Sequence, residues 1–407
     1  MPALPEGRLW RKQKKRLSGS HNGTRGHLCD RRAAGHAMNI LFFTPTFLPT
    51  IGGAELMLHN LATSLSDRGH NIIVLAPEVR HKDNHVDCKY RLVRYQKPSS
   101  KRFGVRQTLF YLFRERLKTT IDLLHCHGGY PTGFVGASFK SLFHVPLVIR
   151  PHGSDILPGE GIRKNKRLEG RLITALTRAD AVVAQSRELN EIITGLGVAE
   201  QNIKIIPNGV DAAQYKNFHF NNRFDQPYAL ALGSLTWKKG FDILIKAFCD
   251  VSKEVPDLKL YIAGMGPEEE SLRKLAEKLG LKGKIIFTGI ISGKDKLDAL
   301  SGCLFGVSSS RREPFSNSNL EFMASGKPLI AAAVGGNLEV VKDGVNGILV
   351  TKESVEALAK AMLRLMRDDN LRKAMGAAAL QEVKIYDWDR IVDQYEGLYM
   401  SLCGRNR

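Results

Sequence analysis

From Met38 onward one pattern recurs along the chain: a short apolar run, a loop, then a segment whose apolar residues are spaced for a helix. "NILFF" (39–43) is followed by a glycine loop and by "AELMLHNLATSLSDRGH", where Leu56, Leu61 and Leu65 share a stripe. "NIIVLAP", "DLLHCHG", "PLVIRPHG" and "AVVAQS" are the next runs; a helix pattern starts at Arg187, and "IKIIPNGVD" ends the half. Runs this short and this apolar suit strands covered on both faces, and their alternation with helices predicts a parallel, doubly wound sheet. The rhythm stops at "DAAQYKNFHFNNRFDQP", which is polar and rich in turn formers. It restarts with "YALALGS", the helix "GFDILIKAFCDV", "LKLYIAG", the helix "EEESLRKLAEKLG", "KIIFTG", "CLFGVSSS", "PLIAAA", "GILV" and the helix "SVEALAKAMLRLMRD".

The expected organisation is therefore an α/β chain of two similar Rossmann-like domains facing a cleft. Residues 38–211 form the first domain, 212–226 a linker and 227–385 the second. A last helix in 386–407, with Trp388, Ile391, Tyr395 and Tyr399 on roughly one face, crosses back over the first domain. Ligands of open α/β sheets bind at the carboxyl ends of the strands, so a cleft between two such sheets is the place for a site. Length and composition agree: 407 residues suffice for two cores, and 43% hydrophobic with 25% charged residues is ordinary for a globular protein.

Several classes of function are excluded or disfavoured. No run approaches the ~18 apolar residues of a membrane span. The six cysteines are scattered without a C-x-x-C pair, which argues against a structural zinc or disulfide framework and suits a reducing cytoplasm. The net charge of +19 is uneven: +7 in residues 1–37, +9 in 38–226 and +3 in 227–407. The first 37 residues read as a basic, unstructured arm or an extension upstream of Met38; a single Trp among those charges gives little to stack on bases, so nucleic acid is not the expected partner. "IAGMGPEEE" puts Glu269 where a dinucleotide fingerprint requires its third glycine, and neither a P-loop nor a G-x-S-x-G elbow is present. His125 and His127 end a buried strand with no third metal ligand at hand, and read as structural or substrate-lining.

What remains is suited to phosphate and sugar. Gly52 and Gly53 precede the first helix, "GSLTWKKG" places Lys238 and Lys239 after the first strand of the second half, and "SSSRREPFSNSNLEFMASGKP" (308–328) opens a helix near Ser316–Ser318. Glycine loops, lysine and bare N–H groups at a helix start hold a diphosphate without needing a metal. In the last segment Glu313 precedes the helix and Glu321 falls in its first turns. Two readings are open for this pair: Ser318 and Glu321 as a capping box beside a solvated Glu313, or two carboxylates gripping a ligand, Glu321 through vicinal ribose hydroxyls.

From Met38 to the end the chain resembles the retaining glycosyltransferases of family 4, which have the two-domain GT-B fold. The likeness rests on "GGAE" (52–55), "RPHGSD" (150–155), "IPNGVD" (206–211), Lys239-Gly240, "AGMGPEEESL" (263–272), "FTG" (287–289) and, above all, the E-x7-E of Glu313 and Glu321 with the segment that follows it. The resemblance implies a nucleoside-diphosphate sugar as donor and no metal cofactor. His152 would lie near the reacting centre, Glu313 at the donor sugar and Glu321 at the ribose. Lys239 would hold the diphosphate, with Gly52 and Gly53 allowing close approach and the N–H groups around Phe315, Ser316 and Asn317 capping it. The base, uracil or guanine, would sit near Phe287–Ile290.

Two positions depart from the family pattern. Ser234 stands where many members have Arg, with Lys238 as a candidate replacement, and "FSN" replaces the frequent "FG" after the first glutamate. His152 has a structural alternative as a hydrogen-bonded residue at a strand end.

The expected acceptor is a glycan or lipid-linked saccharide. Residues 97–118 carry seven Lys/Arg against Glu115, interleaved with Phe103, Phe110 and Phe113, and residues 163–178 add six more cations. That combination suggests docking on an anionic membrane surface, from the cytoplasmic side; an ordinary surface helix with its aromatics in the core is the alternative. Another GT-B enzyme of nucleotide sugars, an epimerase or hydrolase, or a basic binding module would share parts of this pattern.

Overall fold

The computed structural model describes residues 37–50, 52–79, 86–97, 104–216, 224 and 227–404; the arm up to residue 36, most of the linker and Phe103 lie outside the described residues. Both predicted sheets are present and wholly parallel. The first has β1 (Asn39–Phe43), β2 (Asn71–Pro77), β3 (Arg91–Tyr95), β4 (Leu123–His127), β5 (Leu147–Arg150), β6 (Ala181–Ala184) and β7 (Ile203–Ile205), in the order β3-β2-β1-β4-β5-β6-β7. The second has β8 (Tyr228–Leu232), β9 (Lys259–Ala263), β10 (Ile285–Gly289), β11 (Phe305–Ser308), β12 (Leu329–Ala332) and β13 (Gly347–Val350), in the order β10-β9-β8-β11-β12-β13. The strand order reverses between β1 and β4 in one sheet and between β8 and β11 in the other. Crevices form at such reversals because the loops on either side leave in opposite directions.

The apolar runs are explained by burial on both faces. Along β1, Leu41 and Phe43 enter one core while Ile40 and Phe42 enter another, as side chains of a strand must alternate. The second core is only partly covered by the helix Gly53–Asp67. That helix buries Met57, Leu58, Leu61, Ala62 and Leu65, so its inward stripe is rotated from the expected one and leaves Leu56 half-buried. The rest of that face is closed by the carboxyl-terminal helix Trp388–Gly404, whose Ile391, Val392, Tyr395 and Tyr399 are packed among Ile40, Phe42 and Val148. Arg68 fixes this helix through Asp393 (2.7 Å) and Glu396 (2.6 Å), and His70 adds a contact to Glu396 (2.9 Å). Trp388 lies against Gly209, where a Cβ would fall 2.6 Å from the indole. The two crossings between the halves meet here: Val210 N–H donates to the Tyr386 carbonyl at 2.9 Å.

Several elements have no counterpart in the sequence analysis, among them the helices Phe134–Phe143 and Lys166–Arg178. β3 is an edge strand with Arg91 and Arg94 among its five residues, which disguise it. The helices Gly293–Gly302 and Asp369–Glu382 have weak amphipathic patterns; the second buries only Met375, Gly376 and Ala379.

Candidate active site

At the reversal point of the second sheet, the loop after β8 carries Lys239 and the loop after β11 carries Glu313. Each is fixed by contacts to the other. Arg311 donates from its backbone to the Lys238 carbonyl (2.7 Å), from Nη1 to the Trp237 carbonyl (3.0 Å) and through both terminal nitrogens to Asp242 (2.8 Å each), with its guanidinium 5.0 Å over the Trp237 ring. Ser309 Oγ donates to the Lys239 carbonyl at 3.0 Å. Lys239 Nζ then reaches Glu313 Oε2 at 2.5 Å, and Ser310 Oγ donates to the same oxygen at 2.9 Å. Behind Glu313, its carbonyl accepts from Gly336 N–H (2.8 Å); at Gly335, φ is +46° and a Cβ would lie 2.3 Å from that carbonyl, so only glycine fits this turn.

The helix Asn317–Ala324 begins three residues beyond Pro314 and is capped by Ser316, whose Oγ accepts from Asn319 N–H at 3.4 Å. The capping-box reading of Ser318 and Glu321 is therefore corrected. Ser318 lies inside the helix and bonds to the Leu232 carbonyl (3.4 Å), while Glu321 is in the second turn and pairs with Lys296 (2.6 Å). A buried amide pair, Asn319 to Asn337 (2.7 Å) and Asn337 to the Ala332 carbonyl (2.9 Å), locks the helix start to the loop after β12. Glu313 and Glu321 thus face one cavity from either side of a helix amino terminus, where the dipole favours negative charge.

That cavity, of about 540 Å³, lies between the two sheets, and all nine residues singled out from the sequence line it: Gly52, Gly53, His152, Lys239, Glu313, Phe315, Ser316, Asn317 and Glu321. Ile290 and Ile291 with Gly264 and Met265 line it too. Gly264, with φ +147°, passes so near the first loop that a Cβ would sit 1.8 Å from the Gly233 carbonyl. Phe287, expected nearby, is instead covered by the Arg273 guanidinium at 4.6 Å.

The expectation that Lys238 stands in for an arginine at Ser234 is also corrected. Lys238 turns away to Glu160 of the other half, which it shares with Arg312 (2.7 Å). Lys296, Arg150, Gln185 and Asn208 are cavity residues that sequence reading missed. Lys296 sits on the Gly293–Gly302 helix, whose pattern is faint; Arg150 in "RPHGSD" and Asn208 in "IPNGVD" both fall within motifs, which is the usable signal for them.

On the opposite wall β5 and the loop after it deliver Arg150 and His152, with His125 and His127 of β4 buried behind them and not lining the cavity. Asp155 ties their loops together, accepting from Gly129 N–H (2.5 Å) and His152 N–H (2.7 Å). His125 Nδ1 meets the Tyr399 hydroxyl at 2.6 Å, its ring is 4.8 Å from that of His127, and the His127 ring is 5.6 Å from that of His152. Burial, reinforced by Arg150, lowers the His152 pKa to about 3 and puts those of His125 and His127 well below the usual range, so all three are neutral. Burial also raises Asp155 to about 6 against the pull of its backbone donors. Gly153 abuts Pro314 across the cleft, a Cβ there falling 2.3 Å from the proline ring, so the two walls close on the cavity.

The known proteins that this chain resembles fit that architecture. The model of Glycosyltransferase Family 4 matches residues 51–214 and that of Glycosyl transferases group 1 matches residues 214–382. An uncharacterized glycosyltransferase of Methanocaldococcus jannaschii is 29% identical over 88% of this chain and 96% of its own length. The alpha-monoglucosyldiacylglycerol synthase of Streptococcus pneumoniae is 22% identical over 88% of this chain and 85% of its own. The crystal structure of Anabaena Alr3699/HepE in complex with UDP and glucose superimposes with a TM-score of 0.75 at 23% identity, covering 90% of this chain and all of that one. With matching models adjoining at residue 214 and together covering residues 51–382, which hold every strand of both sheets except β1, the chain is a glycosyltransferase of the GT-B fold, related to the enzymes of family 4.

Proposed function

We propose that the enzyme moves a sugar from a nucleoside-diphosphate sugar to an acceptor hydroxyl with retention of anomeric configuration. The observation that carries this reading is the placement of Glu313 and Glu321 on one cavity, each with its own lysine, either side of a helix amino terminus. Glu321 binds the ribose hydroxyls, Lys239 and the N–H groups at Phe315–Asn317 bind the diphosphate beside Gly52 and Gly53, and Glu313 and His152 face the transferred sugar. The base rests against Ile290 and Ile291. We read residues 38–211 as the acceptor domain and 227–385 as the donor domain.

The chemistry follows from where charge develops. As the bond from the anomeric carbon to the phosphate oxygen breaks, positive charge spreads over the ring and negative charge over the diphosphate. Lys239 and the helix terminus, fixed in place beforehand, stabilise the latter. The acceptor oxygen bonds to the anomeric carbon on the face the diphosphate leaves, and a phosphate oxygen takes the acceptor's proton. A His152 held neutral presents a hydrogen-bonding ring and adds no positive charge beside the oxocarbenium-like centre. Protein cations supply the counter-charge, so activity is expected to survive EDTA; loss restored by magnesium or manganese would refute this.

The acceptor is read as a glycan or lipid-linked saccharide of cell-surface polysaccharide or glycolipid synthesis, reached from the cytoplasmic membrane face. The helix Gly104–Lys118 supports this. It leaves Phe110 58%, Phe113 38% and Leu117 71% exposed, joined by Leu142 at 60% on the next helix. Its lone acid, Glu115, is buried beneath Arg91 and Lys118 (2.8 Å each), so the outer face is aromatic and cationic. The similarity to a diacylglycerol glycosyltransferase points the same way.

Thermal shift of the chain from Met38 with UDP, GDP and their sugar conjugates, wild type beside Glu321→Ala, tests the donor assignment. A nucleotide that binds the native state raises Tm by mass action. One nucleotide is expected to stabilise the wild type and not the variant; no response from any of them would refute the donor reading.

A further inference from the structure

Among the described residues the cavity is lined by three cations, and two of them face carboxylates: Lys239 pairs with Glu313 and Lys296 with Glu321. The third does not. Arg150, at the end of β5, is 1% exposed, and no described carboxylate lies within ion-pairing distance of it. Its Nε donates to the Tyr395 hydroxyl (2.9 Å) and its Nη2 to Asn208 Oδ1, while Nη1 makes no hydrogen bond to a described residue. Nothing nearby lends a negative charge. The three neighbouring imidazoles are neutral, and burial pushes the Tyr395 phenol up, so it too is neutral. A guanidinium cannot escape by losing its proton, and a buried charge with no partner is strongly unfavourable.

The neighbours of Arg150 indicate which anion answers it. Asn208 Nδ2 donates to Asn317 Oδ1 (2.5 Å), and Asn317 Nδ2 donates to the Gly53 carbonyl (3.3 Å). One hydrogen-bonded row therefore runs from Arg150 to the start of the Asn317–Ala324 helix and on to the Gly52–Gly53 turn. These are the two backbone ends assigned above to the diphosphate.

We propose that Arg150 is a catalytic cation that binds the leaving diphosphate from the wall opposite Lys239, and that Tyr395 of the carboxyl-terminal helix is the residue that positions it. This rests on the nucleotide-sugar reading. Negative charge accumulating on the diphosphate strengthens the contact as the glycosyl bond breaks, which is the condition for a contact to accelerate the step. The crossover helix, besides closing a core, thereby reaches the chemistry.

Calorimetric titration of wild type, Arg150→Gln, Arg150→Lys and Tyr395→Phe with UDP, uridine, GDP and guanosine tests this, with the Tm of each protein recorded without nucleotide. For the nucleotide that wild type binds, Arg150→Gln is expected to weaken the diphosphate about 10- to 100-fold, the worth of a charge-assisted hydrogen bond, and to leave the nucleoside unaffected. Arg150→Lys recovers part of the loss, and Tyr395→Phe costs about threefold, as befits an indirect effect. The Tm of Arg150→Gln stays level or rises, since an unpaired buried charge has been removed. A fall in Tm with diphosphate affinity unchanged would make Arg150 structural and overturn the proposal. If wild type binds neither nucleotide, the donor reading falls and this one with it; if Arg150→Gln binds the diphosphate as tightly as wild type, only the Arg150 assignment falls.

Discussion

On the carboxyl-terminal wall of the cleft, charge comes as ion pairs: Lys239 with Glu313, Lys296 with Glu321, and Arg311 with Asp242 and Glu353. On and behind the amino-terminal wall it is suppressed: His152 at the cavity and His125 and His127 behind it are held neutral by burial, and the charge of Arg150 is met by neutral dipoles of Tyr395 and Asn208. Both walls are ends of parallel sheets with the same strand–loop–helix unit, so fold does not explain the contrast. Paired charges can exchange partners with an incoming diphosphate and ribose without a bare ion ever being buried. A wall whose donors and acceptors are neutral apart from Arg150 suits the uncharged hydroxyls of sugar and acceptor and leaves that one cation for the diphosphate. The difference teaches that the halves differ in how each handles desolvation, not in architecture.

The contrast can be broken most forcibly at its charged side. Lys239→Ala removes a cation from the leaving diphosphate, and kcat is expected to fall on the order of 100-fold or more, the typical loss of one preorganised donor. It also strands Glu313, so steady-state kinetics should be read beside Lys239→Arg, which restores the pairing and part of the rate. A fall confined to donor KM would mean uniform binding instead.

The neutral wall gives a pH signature. The folded-state pKa values of His125, His127 and His152 lie below the ordinary 6.5, so the unfolded chain binds more protons, and their contribution to stability is lost as pH falls from about 6.5 toward 3. Asp155, raised from 3.8 to about 6, acts oppositely: its contribution is present at low pH and lost as pH rises through 6. Three groups outweigh one, and Tm is expected to drop steeply on acidification below pH 6. His127, whose ring nitrogens have no hydrogen-bond partner among the described residues, is the one to change. His127→Leu should flatten the acid limb and leave Tm at pH 7 level or about 1 kcal/mol higher in stability terms. An unchanged acid limb would show that burial at this wall is not what sets it.

A smaller effect sharpens the comparison outside the cleft. Phe110→Ser with Leu117→Ser should reduce binding to vesicles containing anionic lipid by about tenfold or more, from the apolar area withdrawn, without altering nucleotide affinity. Equal flotation of variant and wild type would return this helix to an ordinary surface.

Much of this was legible in sequence because it is encoded locally. Strand runs such as "NILFF" announce two-faced burial, Gly326 and Pro328 mark where the Asn317–Ala324 helix stops, and the eight-residue step from Glu313 to Glu321 already implies a helix start between two carboxylates. Less was legible where a pattern was blunted, as in β3 with its arginines and the helix that carries Lys296.

Sequence alone determined the two α/β halves, the return of the last helix and the nine residues that share a cavity. Only tertiary structure decided who pairs with whom: Lys238 with Glu160 and not with the cavity, Lys296 with Glu321, and Arg150 with Asn208 and Tyr395. The physical reason is separation. Periodicity and turn chemistry act over a few residues, whereas a charge finds its partner through strand order and domain closure, which bring together side chains 25 positions apart in one of these pairs and 245 in another.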